Sequence, residues 1–283
     1  MIRRWLSTGG RTGVVLGVAA IELGLAWLLG LASTASIAST LSRHPLGFAA
    51  VYSQGGRLLG DLATLHARAW EPTAGLIAVA LLAWAAAWML LGGMFPVLAS
   101  NAGVRWHRAA AESLRRAPTL LGLAAIAGLG YALAAFAGYA ATGWGERAAA
   151  ARFDVRAVTL LGLVGYGLGA ALAGLITVWH DAARAHAMAR GKAAMQASGA
   201  AAFQMVREPL STVAAGARYG LLAWSYVGAV ALLSGLLESR TSVAAVATLL
   251  VAQHLAVLGR VHARMKWFVW LGARVAAVRS PAE

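Results

Sequence analysis

The chain contains no cysteine. Disulfide staples, thiolate catalysis, iron–sulfur clusters and thiolate zinc sites are therefore all excluded. Charge is also scarce: 12% of the 283 residues are Asp, Glu, Lys or Arg, against about 25% in ordinary soluble domains. Short catalytic and nucleotide-binding signatures are missing as well. There is no GxxxxGK[ST], so the chain is not itself an ATPase, and there is no HExxH, GxSxG or GxGxxG. A membrane hydrolase would place two acids, or a Ser/His pair, within its apolar runs, and only Glu22 is there.

Apolar residues make up 60% of the chain, with a mean hydropathy of +0.69. Disorder is excluded by that content. A spanning helix needs about 20 mostly apolar residues, and six stretches qualify: 12–41, 72–100, 117–145, 157–179, 219–237 and 241–259. None alternates polar and apolar residues over strand-length segments, which argues against a barrel. The expected fold is an all-α, polytopic transmembrane bundle of six spans forming one membrane domain over 1–283. Glu22 within the first run, and that run's length, argue against a cleaved signal peptide.

The formal charge of +14 is read first against the positive-inside rule. With these spans, seventeen basic residues fall on one side and seven on the other. Both termini are thus expected in the cytoplasm, and the excess charge is explained by insertion without nucleic acid. Twenty-two of the 24 basic residues are Arg, which with abundant Ala and Gly fits a GC-rich bacterial genome, and the expected location is the bacterial inner membrane. Amphipathic surface helices are expected outside over about 57–70, where Leu58, Leu62, Leu65 and Ala69 recur at helical spacing, and inside over about 102–116 and 181–207. Trp5, Trp70, Trp106, Trp144, Trp179, Trp267 and Trp270 fall near expected helix ends, as indoles favour the headgroup level.

Glu22 is the most informative residue. If Arg11 sits at the headgroups, Glu22 lies about 16 Å deeper, near the bilayer centre, where a carboxylate faces protein or water. It reads either as a proton or cation site or as a hydrogen-bonded acid packed on another helix, with Gln253 or His254 of the sixth span as partner. After the fourth span, His180, Asp181, Arg184 and His186 form a polar run. His180 and His186 point about 120° apart on a helix, a poor metal pair, whereas Asp181 and Arg184 are three apart and can pair. The plain reading is a polar helix start at the membrane surface. His254 alone is weak support for haem. No metal or cofactor is expected. Among the glycines, only Gly165-Tyr166-Gly167-Leu168-Gly169 is dense enough to predict a close helix contact. Arg116-Ala117-Pro118 and Arg207-Glu208-Pro209 each place Arg two residues before a Pro that opens a membrane helix.

Asp181-Ala-Ala-Arg184, Arg207-Glu-Pro209-Leu210, Gln253 and the Arg264/Trp267/Trp270 tail resemble a family of uncharacterised bacterial integral membrane proteins with six spans. There an Arg-His-Pro stands where Arg207-Glu-Pro209 stands here. The resemblance implies fold and membrane location, and no catalytic residues.

The expected function is non-enzymatic: an anchor, scaffold or subunit of a membrane complex. A permease or transporter subunit, proton-coupled through Glu22, is the alternative, and a lipid-acting enzyme a more distant one. Arg105, Arg108, Arg184 and Arg190 are the expected contacts to anionic headgroups, a protein partner or a second copy of the chain.

Overall fold

The computed structural model describes residues 13, 15–27, 71–100, 105–150, 155–237 and 243–277. The expected external helix over 57–70, and the first span beyond residue 27, lie outside these residues. The chain divides into two compact units, Gly17–Trp88 and a larger one of Met1–Leu16 with Met89–Glu283. The described residues form eight helices: α1 (Val15–Trp27), α2 (Glu71–Ser100), α3 (Trp106–Arg115), α4 (Ala117–Ala150), α5 (Val155–Arg190), α6 (Ala194–Arg207), α7 (Pro209–Leu237) and α8 (Val243–Ala277). No described residue is in a strand.

Ala117–Ala149, Arg156–Arg190 and Pro209–Leu237 are long and apolar enough to cross a membrane. The protein is therefore an all-α, multi-pass membrane bundle with at least three spans. At 1.5 Å per residue, 23 apolar residues from Ala157 to Trp179 already cover about 35 Å, more than the hydrocarbon thickness. The last turns of α5, from His180 to Arg190, therefore project beyond it.

Within the larger unit, α4 packs along α5, and α7 along α8. The α4–α5 crossing is set by glycine. A Cβ on Gly138 would lie 2.9 Å from Gly169 Cα, and one on Gly169 3.2 Å from Gly138 Cα. The dense glycine run of the fourth span thus makes the close contact its sequence predicts. Thr142 Oγ1 donates to the Gly162 carbonyl at 3.3 Å, and the Tyr131 and Thr177 hydroxyls bond at 2.9 Å.

The polar run after the fourth span is the continuation of α5, not a helix start. Gly191 ends that helix in the left-handed region, at φ 66°, with its N–H bonded to the Ala187 carbonyl at 3.0 Å. The segment read as one helix over 181–207 is consequently two pieces, the end of α5 and the separate α6. Pro209 then opens α7, where its missing N–H costs nothing, ten residues before the apolar run at Tyr219.

The buried core of the larger unit gathers at this end. Phe95, Leu91, Val261, Phe268, Leu271 and Val275 are essentially inaccessible, together with Ala182, Ala183, Ala187, Ala197 and Ala201. Phe95 stacks on Phe268 with centroids 5.7 Å apart. Small residues on α5 and α6 let the neighbouring helices come close, so large side chains from α2 and α8 fill the remaining space.

Candidate functional site

At the centre of this end stands Asp181, whose side chain is 5% exposed. Its Oδ1 accepts from Arg184 at 3.4 Å, one turn along α5, and from Arg264 of α8 at 3.3 Å. Its Oδ2 accepts from the Trp267 indole N–H at 3.2 Å. A buried carboxylate requires such partners, since desolvation costs several kcal/mol per ion (order of magnitude). The second guanidinium finds further stabilisation on aromatic faces: Arg264 lies 5.7 Å from the Phe95 centroid and 5.9 Å from that of Phe268. Arg184 is also held from the far side, because a Cβ on Gly92 of α2 would lie 2.9 Å from its Cζ. One acid on α5 thereby joins α2, α5 and α8.

Further bonds extend this clamp. Arg190 donates to the Val275 carbonyl at 2.6 Å, tying the end of α5 to α8. Arg274 pairs with Glu208 at 2.7 Å and lies 5.2 Å over the Trp270 ring. Trp267 and Trp270 stack at 5.3 Å. The Trp179 indole donates to the Ser198 carbonyl of α6 at 3.1 Å, and His186 Nε2 meets Gln204 Oε1 of α6 at 3.0 Å. Ser113 of α3 donates to the Leu90 carbonyl of α2 at 2.8 Å.

The sequence-predicted residues divide accordingly. Arg184 is not a surface contact: its side chain is 14% exposed and faces Asp181. Arg105 and Arg108 are exposed on and beside α3, and Arg190 is exposed while tied to Val275. Glu22 is buried, at 8% exposure. Gln253 is exposed, and His254 Nδ1 lies 2.6 Å from the Leu250 carbonyl of its own helix. Sequence reasoning missed Arg264 and Trp267 as partners of Asp181. They lie 83 and 86 residues away, beyond the reach of any local spacing rule. Among the described residues, no group of three or more His, Asp or Glu is placed to hold a metal ion.

A cavity of about 340 Å³ opens beside the clamp, at the corner between α5 and α6. His186, Arg190, Lys192, Phe203, Gln204 and Arg207 are among its lining residues.

This fold and this cluster define a multi-pass helical membrane protein whose polar residues join helices at one end of the bundle. No family model, curated protein or solved structure matches the chain.

Proposed function

We infer that the protein is a non-enzymatic membrane scaffold or anchor, with six spans and its basic end in the cytoplasm of a bacterial inner membrane. The observation that carries this reading is how the side chains are used. Asp181, Glu208, Arg184, Arg264 and Arg274 are engaged in joining helices, while the apolar windows of the three spans are 22%, 17% and 0% buried by the chain itself. Spans fastened at one end and left uncovered along their length offer their sides to lipid or to partner helices. A second copy of the chain or another membrane protein fits that surface.

The permease reading is favoured by one arrangement. The α4–α5 and α7–α8 hairpins are joined at the charged end through α5, α6 and α8, as a gate closed on one side would be, and Glu22 supplies an intramembrane acid.

Photo-crosslinkers at Leu221, Leu232 and Leu236, all exposed on α7, distinguish the two. A scaffold gives a discrete protein adduct from these positions in membranes, and the reconstituted protein supports no solute flux. Flux in liposomes that is lost in Glu22→Gln, without any protein adduct, transfers the assignment to the permease. For topology, a cysteine replacing Gly199, which is exposed with open space around it, should resist an impermeant maleimide in intact cells, while one at Ser53 should react.

A further inference from the structure

We propose that the α5–α6 corner is a binding site for one anionic phospholipid, with its phosphate in the basic cavity and its acyl chains along the outer face of α6. The starting point is the position of α6. It joins two membrane-crossing helices through three residues, Gly191–Ala193, on one side and through Glu208 alone on the other. The Trp179 indole, at the end of the fourth apolar run, donates to the Ser198 carbonyl of α6 at 3.1 Å, which ties the middle of this helix to the headgroup level that indoles favour.

α6 presents two opposite faces. Its inner face buries Ala197, Ser198, Ala201 and Gln204. Its outer face carries Met195, Phe203 and Val206, 74%, 64% and 80% exposed, and Leu210 at the start of α7 continues the same stripe. At 3.6 residues per turn Met195, Phe203 and Val206 fall within an arc of about 80°. A stripe of large apolar side chains at the membrane surface enters the acyl boundary, as in other interfacial helices.

The cavity lies on the flank of that stripe and is electropositive. Arg190, Lys192 and Arg207 line it, and the single lining acid, Glu208, is paired with Arg274 and accepts from Ser211 at 3.2 Å. On its wall, His186 and Gln204 are 3% and 7% exposed and bond to each other at 3.0 Å. A phosphodiester oxygen in the cavity accepts from the basic side chains that line it. The cavity, the cations and the apolar stripe thus match the three parts of one amphiphile: a polar headgroup, its phosphate charge and its chains. A soluble phosphate compound would leave the stripe unused. The site requires only the membrane-spanning bundle, so it stands or falls separately from the scaffold role.

Native mass spectrometry of the full-length protein, delipidated in mild detergent and titrated with phosphatidylglycerol or phosphatidylcholine, tests this. One phosphatidylglycerol is expected to bind first, with phosphatidylcholine much weaker. Each juxtamembrane cation contributes about fivefold to such binding, so Lys192→Gln with Arg207→Gln should weaken the first site about thirtyfold. Arg105→Gln with Arg108→Gln, exposed cations away from the cavity, should leave it unchanged. Phe203→Ser, with all charges kept, should weaken it without abolishing it. Equal losses in both double variants would reduce the site to general attraction by a basic surface. Full displacement by millimolar inorganic phosphate would make it a site for free phosphate. Equal binding of both lipids would also overturn the proposal.

Discussion

Nine of the eleven residues from Val178 to Met188 are buried, whereas in the apolar window of α7 none is. The two regions are packed under different driving forces. Inside the hydrocarbon an apolar side chain gains nothing by leaving lipid for protein, so only close fit or polar bonds hold helices together. At the end of the bundle where α5 projects beyond the hydrocarbon, burial is driven as in a soluble domain. Stability is therefore concentrated at the charged end, and the spans are held mainly by the Gly138–Gly169 crossing of α4 on α5 and by their attachment to that end.

The largest effect should follow from removing Asp181. Asp181→Ala leaves Arg184 and Arg264 buried beside each other without their shared anion, at a cost of about 3–5 kcal/mol. The variant should lose most of its monodisperse peak on size exclusion in mild detergent, and Asp181→Asn, which keeps an acceptor for Trp267, should lose less. Leu232→Ala, at a position 72% exposed, should stay within about 0.5 kcal/mol of the parent. If Leu232→Ala were the more damaging change, the contrast between the two regions would be wrong.

A second comparison lies within the spans. At Gly138 the atom a Cβ would meet belongs to the backbone of α5 and cannot rotate away. Gly138→Val should force α4 and α5 apart at about 1–3 kcal/mol, lowering the melting temperature in detergent. Gly228 of α7 has nothing within 4 Å of its Cβ position. Gly228→Ala should be neutral or slightly stabilising, because alanine is the better helix former. Equal effects at both glycines would mean the α4–α5 crossing is no tighter than the rest.

Local features of this architecture were legible in the sequence. Long apolar runs gave helices, the Gly165–Gly169 run gave a close crossing, and the three-residue spacing of Asp181 and Arg184 gave an ion pair. What local spacing could not give was burial. The run around Asp181 reads as a solvated surface because it is polar. Yet Ala182, Ala183, Ala185 and Ala187 are small enough to admit neighbouring helices on every side, and those helices enclose the charges. The same closeness took Arg184 out of reach of an external partner and made Arg264 and Trp267 the partners of Asp181. The α5–α6 break rests on one glycine, which is unremarkable in a chain holding 33 of them.

The smallest effect is expected at Glu112, an ion pair on the outer surface of α3 that serves as the counterpart of Asp181. Its carboxylate accepts from Arg115 Nη2 at 2.9 Å and from Arg116 Nε at 2.6 Å. Arg115 first, and then Arg116, hold its carboxyl at about 2, against an ordinary 4.5. Because the folded-state value is lowered, the stabilisation is complete above pH 4.5 and is lost as pH falls towards 2. Water reaches this pair, so it contributes only about 0.5 kcal/mol. Glu112→Gln should therefore melt slightly below the parent at pH 6, and the gap should close as the pH approaches 2. It should also shrink in 1 M salt, where the Debye length is about 3 Å. The Asp181→Ala deficit, from a carboxylate only 5% exposed, should survive the same salt. If both deficits vanished together, Asp181 would be a surface pair like Glu112, and the charged end would not be the core of the fold.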